Sequence, residues 1–164
     1  MHSHNLLRNY VIILLMAAIP LPVLAERDTL PIMINGCVIK PNTDCRGLGN
    51  SLKYANLSGV DLSGANLSGL NLHGASLRNA NLRGANLQRV ELDMASLAKA
   101  DLTGADLTDA YFALSDVAGA NFQAAILTNV DLRGANGART AILDGARLCN
   151  TTLPDGTIRN DHCP

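Results

Sequence analysis

The stretch Ala55-Asn56-Leu57-Ser58-Gly59 returns as Ala65-Asn66-Leu67-Ser68-Gly69 and, with a changed tail, as Ala85-Asn86-Leu87-Gln88-Arg89. Outward from it, steps of five from Leu52 to Leu132 meet seventeen large apolar residues in succession: fourteen Leu, Phe112, Phe122 and Val117. Two residues earlier in each unit, the 16 positions from Ala55 to Val130 hold eleven Ala, three Val, Leu70 and Ser115. A fixed period outranks any local pattern, because it means that one structural unit is reused.

Neither regular element accommodates this period. On an α-helix five residues advance about 500°, so successive leucines step round by roughly 140° and form no stripe. On a straight strand five is odd, and alternate leucines face opposite sides. A chain that turns a corner once per unit keeps them all on a shared axis. Within the unit, the two-residue spacing from small residue to leucine suits a brief extended segment that points both inward. Gly59, Gly64, Gly69, Gly74, Gly84 and Gly104 close their units, where a tight turn favours positive φ. The bulky residues of the small slot are Val60, Leu70, Val90 and Val130, and the last three share a phase of 20 residues, which points to four units per coil.

The units resemble those of pentapeptide-repeat proteins, whose members follow A(D/N)LxG-like patterns. The resemblance covers Asn50 to Gly137, slips by one residue, and resumes as Ala141-Ile142-Leu143, Ala146-Arg147-Leu148 and Thr151-Thr152-Leu153. It implies an all-β fold, a right-handed quadrilateral β-helix of about five coils stacked at about 4.8 Å. The domain reading is residues 1–25 as a signal peptide, 26–49 as an N-terminal cap with a cysteine pair, 50–153 as the solenoid, and 154–164 as a C-terminal cap or tail. Each buried leucine contributes roughly 1.5 to 3 kcal/mol. That column replaces the ring-anchored core that a chain with 3% aromatic residues and no Trp lacks.

The N-terminus reads as an export signal. Arg8 precedes an apolar run from Tyr10 to Ile19, Pro20 to Pro22 break it, and Val23-Leu24-Ala25 suits cleavage before Glu26. The run is shorter than the roughly 20 residues needed to span a bilayer, so no stable membrane insertion is expected after cleavage. The destination is the periplasm, the thylakoid lumen or the medium. Export favours oxidised cysteines. The 164 residues hold four, which allow three pairings. Ends separated by the length of a rod lie beyond disulfide reach, so Cys37 is expected with Cys45 and Cys149 with Cys163, each pinning a cap over an open coil. A metal site built on Cys163 and His162 lacks CxxC or HxxxH spacing.

No enzyme is read from these residues and no cofactor is implied. Beyond the leader only His73 and His162 can serve as a catalytic base, and the wall of a regular rod offers no water-excluding pocket. His73 is expected to face solvent and to pair with Asp93, one coil further on. The Asn and Asp residues before each leucine are expected to bond nearby backbone, not calcium. Outward slots that break the polar pattern are Met94, Tyr111, Leu114 and Ile126. Met94 and Leu114 fall on equivalent corners of adjacent coils, with Tyr111 on the same side as Leu114, which marks a candidate patch for a protein partner or a homodimer.

Two functions from different classes follow. One is a non-enzymatic exported scaffold or interaction module. The other comes from the resemblance, since some cytoplasmic members of the family mimic B-form DNA and bind gyrase. Between Asn50 and Gly137 six basic residues oppose eight acids, a net of −2. That is weak mimicry of a duplex carrying one charge per roughly 1.7 Å. A chain with a formal net charge of −1 also has no basic field for binding nucleic acid.

Overall fold

The computed structural model describes residues 32–161 and Cys163, all within the compact unit Pro31–Pro164. The signal-peptide reading of residues 1–25, the start of the segment 26–49, and His162 lie outside the described residues. Among those described there is no α-helix; the regular elements are four short strands and two 3-10 turns, Gly49–Leu52 and Ala138–Thr140.

The rest is a β-helix held by isolated parallel bridges. Four ladders run along it, each joining residues 20 apart: Asn56–Ser76–Ser96–Asp116–Asn136, Asp61–Asn81–Asp101–Asn121, Asn66–Asn86–Asp106–Ile126 and Asn71–Glu91–Tyr111–Asp131. The four-unit coil therefore follows from the pairing itself. The spacing lengthens to 21 at Asn121–Ile142, Ile126–Arg147 and Asp131–Thr152, where the sequence slips by one residue. At the other end Asp44 pairs with Asn66, so the ladder begins inside the segment assigned to the N-terminal cap.

All seventeen residues of the leucine series are buried, Leu132 being the most accessible at 5%. In the small slot the residues from Ala65 to Val130 are buried, and only Ala55 and Val60, in the first coil, are partly exposed. Large and small residues alternate around the axis, which suits close packing in a narrow tube. Phe112 and Phe122 meet edge to face, with centroids 6.2 Å apart. Each unit except the one ending at Val130 is closed by a turn bond from the small-slot N–H to the preceding carbonyl of the leucine series, as in Ala85 N to Leu82 O at 3.1 Å. The slot before each leucine supports that turn: Asn66, Asn81 and Asn86 accept through Oδ1 from the N–H two residues on, as do Asp61, Asp101 and Asp131. The expected side-chain-to-backbone role of these residues is what the structure shows.

The two ends are built differently. At the N-terminal end, β1 (Ile32–Ile34) and β2 (Cys37–Ile39) form an antiparallel hairpin turning at Asn35 and Gly36. The Cys37–Cys45 disulfide joins it to the first coil, both cysteines being 1% exposed within the core. At the C-terminal end, β3 (Thr151–Thr152) pairs with β4 (Ile158–Arg159), and Cys149 is bonded to Cys163 at the surface.

Ser115 occupies the small slot at 0% exposure, and its Oγ is the one buried side-chain polar atom without a hydrogen-bond partner among the described residues. Ser115→Ala removes an unmet desolvation penalty without leaving a cavity. It is expected to raise the unfolding free energy by about 1 kcal/mol, read by urea denaturation; a loss of stability would show that the hydroxyl is satisfied in solution.

Candidate functional site

The corners between walls are the places where this rod can vary. Every unit ends on a residue with positive φ, whether or not it is glycine. The four corners then differ in chemistry. One is nearly bare: Gly64, Gly84, Gly104 and Ala124. One carries Gly59, Asn79, Lys99 and Gly119. A third is polar, with Arg89 4.0 Å from Asp109, Asn129 Nδ2 donating to Asp109 at 2.9 Å, and Asn150 Nδ2 donating to Asn129 at 2.9 Å.

The fourth corner holds Tyr54, Gly74, Met94, Leu114 and Gly134 on successive coils. Its side chains lean toward the next coil. The Tyr54 ring lies over Gly74, where an added Cβ would sit 2.5 Å from it, and Leu114 Cδ2 covers Gly134, where an added Cβ would lie 3.0 Å from it. Tyr54, Met94 and Leu114 are 69%, 60% and 63% exposed, so the corner is an apolar ridge along the rod. Leucine, methionine and tyrosine have no Asn-like local hydrogen bond to offset the left-handed conformation, which costs roughly 1 to 2 kcal/mol. Neither burial nor backbone preference accounts for them.

Of the candidate patch, Met94 and Leu114 are thus on one ridge. Tyr111 stands on an adjoining wall, 54% exposed and laddered between Glu91 and Asp131. Ile126 is half-buried between Asp106 and Arg147. Tyr54 was missed from sequence, although it shares the 20-residue phase of Met94 and Leu114. The expected His73–Asp93 pair is not formed. His73 instead meets the Tyr54 ring edge-on at 5.5 Å, and Asp93 Oδ1 accepts from Ala113 N–H at 2.9 Å, because Tyr111 stands in the slot whose Asn or Asp usually caps that N–H.

Half of the acids between Asn50 and Gly137 are paired with arginines. Arg78 contacts Asp116 at 3.4 Å, Arg83 contacts Asp101 at 3.0 Å and Arg133 contacts Asp131 at 2.6 Å. The Arg133 side-chain hydrogen bond holds the Asp131 carboxyl below its ordinary range. For Asp101 burial pushes the other way, but hydrogen bonds from Thr103 and Arg83 outweigh it. For Asp61 the Ser63 backbone N–H is the main cause of a lowered pKa.

A cavity of about 450 Å³ opens at the C-terminal end, floored by Phe122, Leu127 and Leu132 and walled by Leu143 and Leu153, with Arg139 and Asp155 beside it. The C-terminal disulfide hairpin leaves this part of the last coil uncovered. Among the described residues there is no group of His, Cys, Asp and Glu placed to hold a metal ion, and no helix is long and apolar enough to cross a membrane.

Comparison with known proteins agrees with the fold. The family model for pentapeptide repeats matches in eight copies over residues 55–93 and 115–155. The chain is similar to the crystal structure of the pentapeptide repeat protein Rfr23 from the cyanobacterium Cyanothece 51142, at 32% identity over 63% of this chain and 66% of that one, with a TM-score of 0.53. It is also similar to HetL from Nostoc sp. PCC 7120, a protein involved in heterocyst differentiation regulation (29% identity, 71% and 64% covered, TM-score 0.46). A pentapeptide repeat protein from the Arabidopsis thaliana thylakoid lumen is 34% identical over 67% of this chain and 72% of its own, with a TM-score of 0.37. The chain spans about two thirds of the first two, 66% and 64% of their lengths. No curated protein matches at a significant level.

Met94→Gly relieves the left-handed strain and removes an exposed side chain. It is expected to leave thermal stability unchanged or to raise it by about 1 kcal/mol, measured by circular dichroism melting; a clear loss would mean that the ridge is structural. Asp61, Asp101 and Asp131 lie below the unfolded value of 3.8 when folded. Their stabilisation is therefore complete above that value and is lost as pH falls through the folded values. The melting temperature should be flat from neutral pH to about pH 5 and decline below about pH 4.

Proposed function

This chain belongs to the pentapeptide repeat family, and we propose that it is a non-enzymatic exported module that presents one edge of a rigid rod to a protein partner. The observation that carries the reading is the ridge of Tyr54, Met94 and Leu114, apolar and exposed at backbone positions where glycine is preferred. Aromatic and aliphatic anchors of this kind supply most of the energy in protein interfaces. Tyr111 extends the candidate surface onto the next wall.

The finer architecture belongs to the same proposal: a right-handed four-sided helix of about five coils, with its ends held by the two disulfide hairpins. Both disulfides suit an oxidising compartment. With the leader read at residues 1–25, the destination is the periplasm, the thylakoid lumen or the medium. Pentapeptide repeat proteins are generally structural or interaction modules, which supports a chain without catalysis. The alternative, a duplex mimic that binds gyrase, needs an unbroken acidic face. Four of the acids between Asn50 and Gly137 are instead paired with Arg78, Arg83, Arg89 and Arg133.

The exported form is expected to begin at Glu26 by mass spectrometry. Immobilised, it should capture a partner from its own compartment, and Leu114→Asp together with Tyr111→Asp should weaken that capture about tenfold while the far-UV spectrum stays unchanged. Undiminished capture by the double variant would remove the ridge from the reading. Inhibition of gyrase supercoiling at stoichiometric amounts would establish the alternative.

A further inference from the structure

The inward leucine series skips a step. Position 137, five beyond Leu132, is glycine, and the ladder spacing changes from 20 at Asp116–Asn136 to 21 at Asn121–Ile142. No side chain can restore the missing one there. Gly137 has φ +74° and packs so closely that an added Cβ would lie 2.5 Å from Ala118 Cα. The terminal coil is left underfilled, and the cavity reaches down to Phe122 and Leu127 of the coil below.

Beside this cavity one strand edge is unfinished. On the same wall, one coil of the ladder is held by three bonds: Asn121 N to Ala100 O at 2.9 Å, Leu102 N to Asn121 O at 2.8 Å and Gly104 N to Gln123 O at 2.9 Å. The equivalent groups of the last coil are Ala141 O, Leu143 N and Gly145 N, and none of them has a backbone partner among the described residues. The wall that follows is closed only in part, Ala146 O and Leu148 N also having no backbone partner among the described residues. β4 adds to β3, and Asn160 Oδ1 accepts from Asn150 N–H at 2.8 Å.

We propose that this edge is a strand-addition site for an extended segment of a partner protein, laid parallel to residues 141–145 with an aliphatic side chain in the cavity. In the register of the lower coils, the segment residue above Ile142 donates to Ala141 O and accepts from Leu143 N–H. The residue two further on accepts from Gly145 N–H, and the residue between them points inward beside Leu143. Main-chain bonds supply affinity and the single pocket supplies selectivity, as in other edge-strand recognition. β4 shows that the terminal coil takes an added extended segment. It also stands one strand spacing, about 4.8 Å, above its wall, so a second flat coil end cannot settle flush into the recess that a single strand fits.

The test is a titration of the isotopically labelled, oxidised protein with the blocked peptide Ala-Asn-Leu-Ser-Gly, followed by amide chemical shifts. Saturable shifts are expected at Leu143 and Gly145. Replacing the peptide leucine by aspartate, or methylating the peptide asparagine N–H, should weaken binding about tenfold. Ala141→Phe, which fills the mouth of the cavity, should abolish the shifts; if that variant does not fold, the peptide substitutions decide alone. Leu114→Asp should leave them intact, which separates this site from the lateral ridge. The proposal is overturned if neither amide shifts at about 5 mM peptide. Equal binding of the aspartate peptide, or self-association that already protects both amides, overturns it as well.

Discussion

A corner of positive φ once in every five residues is the constraint on which this molecule depends. It re-aims the chain so that one leucine and one small residue per unit meet the axis, and it puts the remaining backbone groups in register with the coil above. Most sequences cannot repeat such a corner cheaply, because a left-handed residue strains any side chain that branches near the backbone. Glycine removes that strain and asparagine offsets it, which is why these two fill ten of the seventeen corners from Tyr54 to Gly134.

The outside follows from the inside. Because the small slot and the leucine are committed to the core, only the asparagine slot, the residue after the leucine and the corner are open to selection. The asparagine slot is largely spent on supporting the turn. Of the residues that follow the leucines, Arg78 and Arg83 reach acids of other coils, and such exposed pairs are worth little individually. What remains is the corner, and there the four edges diverge into bare, mixed, polar and apolar. A binding surface on this fold is therefore a choice of edge.

The core and the coil repeat were legible because they depend on residues spaced regularly and identically. Seventeen inward residues and a 20-residue phase can be counted directly along the chain. The cysteine pairs were legible as well, since a rod keeps its ends apart. Tyr54 escaped because a single tyrosine near the first unit looks like boundary sequence until its phase with Met94 and Leu114 is written out. The His73–Asp93 pairing failed for a different reason: equal phase brings two residues to one wall, but Tyr111 stands in the slot whose Asn or Asp usually caps the N–H two residues on, so the Ala113 N–H takes the Asp93 carboxylate instead. The slip after Gly137 was visible as a broken period, whereas the unfilled volume beneath it depends on how Ala118 and Gly137 pack, which no period encodes.

The two disulfides differ in a way that gives the rod a direction. Cys37 and Cys45 are sealed inside, while Cys163 is open to solvent beside a partly empty coil. A soluble thiol reaches the C-terminal bridge first. In a stack where each layer is steadied only by its neighbours, loosening begins at that face and travels inward one storey at a time, with the N-terminal hairpin as the last anchor. Redox conditions would thus shorten the molecule from one side before they unfold it.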